Sequence, residues 1–121
     1  MKIIDAIDTI DQQKHNTYSY REKVAWLDRL DGMIKRLIID THEGGEDVIF
    51  EGYTENTDPT TEMLVPRPFD EVYIRWLEAQ IDLYNGEPER YNGSVALFNA
   101  EYDAFGSWYN RNSTPRNAGA W

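Results

Sequence analysis

The sequence predicts a mainly α protein, a four-helix bundle-like domain with one long non-helical insertion. Three observations carry this. Four stretches repeat large apolar residues at spacings of three and four, the period of one helical face. Glycine, proline and capping residues fall between those stretches. The chain has 121 residues and no Cys, so a single core must form without a disulfide or a thiolate-bound metal.

The first stretch, Met1 to about Gln12, places Ile3, Ile4, Ile7 and Ile10 on one side, with Asp5, Asp8 and Asp11 between them. A helix this short is marginal alone and is expected to form only when docked. Ser19 followed by Glu22 reads as a capping box for the second helix, Tyr20 to Thr41. Its apolar positions are Val24, Leu27, Leu30, Ile34, Leu37 and Ile38. Gly32 in its middle predicts close packing against a neighbouring helix or aromatic ring, with a hinge as the alternative. Asp28 and Asp31 lie near Arg29 and Lys35 and read as salt-bridged surface. Gly44–Gly45 ends this helix.

From Leu37 to Pro66 the chain holds eight acids and no Lys or Arg. Inside that region Asp47–Glu51 and Glu62–Val65 look like two short strands flanking the turn-rich GYTENTDPTT. They predict a β-hairpin or extended arm over about residues 45–67. Two strands alone are marginal in water, so the arm either folds over the helices or reaches a neighbour. Its candidate contact residues are Val48, Phe50, Tyr53, Met63, Leu64 and Val65.

The third helix, Pro68 to Tyr84, organises the rest. Tyr73, Trp76, Leu77, Ile81 and Tyr84 share one face that other helices must cover. Asp70 and Glu71 suit its N-terminus, and Asn85–Gly86 closes it. Pro88 opens the fourth helix, where Tyr91, Val95, Phe98, Tyr102, Phe105 and Tyr109 recur at 4, 3, 4, 3, 4. Leu97 and Trp108 lie off that stripe. Thr114–Pro115 ends the helix, giving a domain over residues 1–112 and a flexible tail over 113–121. Arg111, Arg116 and Trp121 make the tail region different in charge from the rest, and they are candidate docking residues.

Charge excludes some functions. With 12 Lys and Arg against 22 Asp and Glu, the net charge of −10 repels phosphate backbones and anionic membranes. No apolar run approaches the roughly 20 residues of a membrane span. Acids interrupt MKIIDAIDTIDQQK where an export signal needs an apolar stretch, so cytosolic synthesis is expected. The only plausible metal cluster is Asp40, His42, Glu43, Glu46 and Asp47. It has one His and matches no ligand loop, so it reads as a solvated helix end. The chain has no GxSxG, no HExxH and no phosphate-cradling glycine loop. Neither an enzyme nor a cofactor is expected.

Three stretches resemble a known family: WLDRLDGMIKRLIIDTHEGGEDVIFEGYTENTD, MLVPRPFDEVYIRWLEAQIDLYNGEPERYNGS and LFNAEYDAFGSWYNRNSTP. Together they resemble the head–tail connector, or head-completion adaptor, proteins of tailed phages and prophages. The resemblance spans about residues 20–115. It implies a small helical bundle with an extended hairpin or loop, no catalysis and no cofactor. It implies a homo-oligomeric ring, typically twelve-fold, between the portal and the next tail or neck protein. DNA passes through such a ring without specific binding. The implied location is the virion neck, after assembly in the host cytoplasm. The arm residues then clasp a neighbouring subunit, and Arg111, Arg116 and Trp121 dock on the portal. Two other readings stay open: a small acidic phage protein that modulates a host protein, and a metal-dependent hydrolase built on Asp40, His42 and Glu43.

Overall fold

A computed structural model of the chain describes residues 1–116. It contains four α-helices: α1 (Ile3–Gln13), α2 (Tyr20–Ile34), α3 (Val72–Tyr84) and α4 (Pro88–Asn112). A π-helical turn, Lys35–Ile39, continues α2, and a 3-10 turn, Gly45–Asp47, follows it. Ser19 caps α2 by accepting the Glu22 amide at 3.1 Å.

The middle of the bundle is α3. It buries Val72, Tyr73, Ile74, Leu77, Ala79, Gln80, Ile81 and Asp82, more than one face of a helix holds. One side takes α4; α1 and α2 cover the other. From α1 come Ile3, Ala6, Ile7 and Ile10, so the short first helix is docked as its pattern predicts. Two ion pairs, each with one buried partner, tie the ends together. Lys14 Nζ lies 2.6 Å from Asp82, whose other oxygen accepts Ser94 Oγ of α4 at 2.5 Å. Lys23 Nζ donates to Asp11 at 2.7 Å and to the Tyr18 carbonyl at 2.8 Å.

On α4 only Ser94, Phe98 and Phe105 are buried, with Tyr102, Trp108 and Tyr109 partly so. Trp108, off the stripe in sequence, still joins the packing: it tilts against Phe69 at 5.4 Å and stacks on Phe105 at 6.1 Å. Leu37, which the apolar spacing puts on the core face, is instead 58% exposed. The π turn is the reason: it widens the helix there and brings Ile38 and Ile39 inward together. Gly32 does meet an aromatic ring, since a Cβ there would sit 3.9 Å from Phe50 Cε2. Gly93, by contrast, faces open space inside α4. Gly93→Ala is expected to stabilise the fold by about 0.5–1 kcal/mol, read as a higher urea midpoint.

The β-hairpin expected over residues 45–67 is not formed. Among the described residues there is no strand, only isolated bridges Lys2–Glu62 and His42–Pro115. The alternation is real, with Ile49 and Glu51 exposed and Phe50, Tyr53, Met63 and Val65 turned toward the core. The ladder is absent because other acceptors take the amides. Tyr53 N donates to Asp28 of α2, Leu64 N to Asp31, and Met63 N to the Met1 carbonyl. The segment therefore folds over the helices as a loop fixed by side chains.

Candidate functional site: a latched acidic loop

Asp31 lies on α2 between Leu27 and Ile34 and is 0% exposed. The expectation that Asp28 and Asp31 form ordinary salt-bridged surface is thereby corrected. No cation pairs with either of them among the described residues. Three donors meet the Asp31 carboxylate: Tyr53 Oη at 2.5 Å, Tyr73 Oη at 2.7 Å and Leu64 N at 3.1 Å. Tyr73 Oη in turn accepts Val65 N at 2.8 Å. Asp28 accepts Tyr53 N at 2.9 Å.

The loop is thus latched at both ends by one helix. Its outgoing limb is held at Tyr53 and its returning limb at Leu64–Val65. Burial pushes the Asp31 carboxyl above the usual carboxylate range, against the lowering effect of its three donors. Burial and the neighbouring Asp31 charge raise the Tyr53 and Tyr73 hydroxyls as well, so both remain donors.

At the start of the loop a second cluster fastens the end of α4. Glu43 N donates to the Thr114 carbonyl at 2.9 Å, and Arg116 N to the Thr41 carbonyl at 2.7 Å. The Arg116 guanidinium donates to the Asp40 carbonyl at 3.0 Å, the His42 carbonyl at 3.1 Å and the Glu46 carboxylate at 2.8 Å. It thereby serves carbonyls left open where the helix ends. That contact holds the Glu46 carboxyl below the usual range.

The sequence-derived site residues divide accordingly. Tyr53, Met63 and Val65 are buried in the chain's own core, with Val48, Phe50 and Leu64 packed against it. Arg116 is engaged by residues 40–46 of its own chain, while Arg111 is exposed and unpaired among the described residues. Trp121 lies outside the described residues.

The five-residue metal candidate does not converge. Among the described residues no three His, Asp or Glu side chains gather as ligands. His42 is turned inward, 3% exposed. Its Nδ1 donates to the Ile38 carbonyl at 2.6 Å, its Nε2 lies 2.7 Å from the Asn110 side-chain amide, and Tyr109 packs edge-on at 4.7 Å. Asp40 pairs with Lys35 and Glu46 with Arg116. An open cleft of about 660 Å³ runs between Met1, Asp5, Glu62 and Asp70, lined by both charge signs.

What the arrangement presents is an acidic edge. Glu43, Glu46, Asp47, Glu51, Glu55, Asp58 and Glu62 are all exposed along the loop. Ile49, at 73% the most exposed large apolar side chain among the described residues, stands among them. The edge thus combines exposed carboxylates with one exposed aliphatic side chain. No helix among the described residues is long and apolar enough to cross a membrane. No family model matches the chain, and neither the curated proteins nor the solved structures gave a match.

Proposed function

We propose that this chain is a non-catalytic structural adaptor that assembles as a ring, typically twelve-fold, between a phage portal and the next tail or neck protein. Its place is the virion neck, and its route there is the host cytoplasm. The observation that carries the reading is the latched acidic loop, whose outward edge is Ile49 flanked by Asp47 and Glu51. The likeness of three long stretches to connector proteins supports it. So does a net charge of −10, which lets DNA pass a channel wall without sticking.

The loop contact in this reading is made by its outer face. Tyr53, Met63 and Val65 are needed inside the chain, and cutting out the loop would take from Asp31 two of its three donors and from Asp28 the Tyr53 amide. A point change is the cleaner probe. Light scattering of the wild-type protein mixed with its portal is expected to give a ring-sized species. Ile49→Asp is expected to lose that species with the helical circular dichroism unchanged. A wild-type protein that stays indifferent to the portal would sink the adaptor reading.

The seven exposed acids also favour a second reading, an inhibitor that occupies a basic surface on a host protein. It is distinguished by salt-sensitive capture of one host protein together with no portal binding.

A further inference from the structure

Among the described residues, nothing covers the outer face of α4. This helix runs 25 residues, yet its exposed side carries Ala96, Ala100 and Ala104 in line, with Leu97 47% exposed at their edge. The residues around Ala100 mirror one another. Ala96 answers Ala104, Gly93 answers Ser107, and Glu89 answers Arg111, each pair equidistant from Ala100 and all exposed. Glu89 and Arg111 make no ion pair among the described residues. They stand 22 residues apart, about 33 Å along a helix.

We infer that α4 is a two-fold docking face for a second copy of this chain, the two helices packing antiparallel across Ala100. Charge complementarity selects this occupant. Antiparallel superposition sets Glu89 of each copy against Arg111 of the other, whereas parallel superposition sets like on like. Small side chains let the two backbones approach to about 8 Å. The two-fold also places both copies' Leu97 on the same edge of the seam, where each covers the other. A two-fold contact closes at two copies, so this pair is the free form in solution and not the contact of the ring. The inference stands apart from the adaptor reading and needs no portal.

Sedimentation equilibrium up to about 1 mM protein tests it, since a single helix pair is a small interface. The wild type is expected to shift from monomer to dimer. Ala100→Arg is expected to remain monomeric with unchanged helicity. Glu89→Arg alone is expected to weaken pairing about tenfold, because two Glu–Arg contacts become two repulsions. Glu89→Arg with Arg111→Glu is expected to restore it. A wild type that stays monomeric throughout would overturn the inference. So would a double swap that pairs worse than the single change, as it would if the two charges served only the helix dipole.

Discussion

Replacing Asp31 by Ala is expected to destabilise the protein by about 3–5 kcal/mol in urea unfolding. The carboxylate is the sole meeting point of Tyr53 Oη, Tyr73 Oη and Leu64 N, and it is 0% exposed. Its removal leaves two buried hydroxyls and the partly buried Leu64 amide without an acceptor and opens a void between α2 and α3. Asp31→Asn keeps the shape but offers one acceptor oxygen and a donating amide to the same three donors. Its expected cost is about 2 kcal/mol, because a tyrosine hydroxyl can turn to accept. Both variants should release the loop before the helices melt. Amide exchange at Tyr53, Leu64 and Val65 should quicken first. Equal protection loss across α3 would mean that the loop and body unfold as one unit.

The pH dependence of the same site has a defined sign. Burial raises the carboxyl above its unfolded value, so between those two values the folded chain binds more protons than the unfolded one. Stability from this group is therefore fully present below the ordinary aspartate range and is lost as pH rises through the raised folded value. Glu46 and Asp58 are lowered in the folded chain and act in the opposite direction, but both are fully exposed and also present in the variant. The wild type is thus expected to gain on Asp31→Asn as pH falls from 7 toward 4, measured as the difference in their urea midpoints. A flat difference would show that the three donors offset the burial in full.

Helix periodicity carries most of this fold. The four amphipathic stretches name the helices that form, with ends within a few residues, because apolar spacing of three and four leaves one way to build a core. Errors arise where a side chain or the local helix geometry overrides the pattern. Val48, Phe50, Met63 and Val65 alternate as in strands, yet strands pair only when their amides lack better acceptors, and α2 supplies two carboxylates. A signal for that is present in the sequence. Asp31 follows Leu27 by four and precedes Ile34 by three, so it lies on the apolar stripe itself. An acid there requires donors, and Tyr53 and Tyr73 are distant in sequence, which hides them. Leu37 leaves the core face because the π turn breaks the 3.6-residue period. Arg116 reads as a free tail charge, since nothing local reveals that the end of α4 returns to the turn after α2.

Gly45→Ala is expected to cost about 3 kcal/mol, through backbone geometry alone. A Cβ at this position would lie 2.3 Å from the Ile39 carbonyl oxygen, 2.9 Å from its carbon and 3.0 Å from Asp40 Cα. No rotamer relieves a contact with backbone, so the turn itself must move. That turn carries the Lys35 Nζ bond to the Gly45 carbonyl at 2.9 Å and places Glu46 for Arg116. Its displacement would loosen the fastening of α4 as well as the entry to the acidic loop. Gly44 provides the control beside it. Its φ is +83°, but a Cβ there meets nothing within 4 Å, so Gly44→Ala should cost only the left-handed penalty of about 1 kcal/mol. The two neighbouring alanines therefore separate close approach from conformational strain. If Gly45→Ala proves no worse than Gly44→Ala in chemical unfolding, the turn yields at little cost and the loop is held by the Asp31 latch alone.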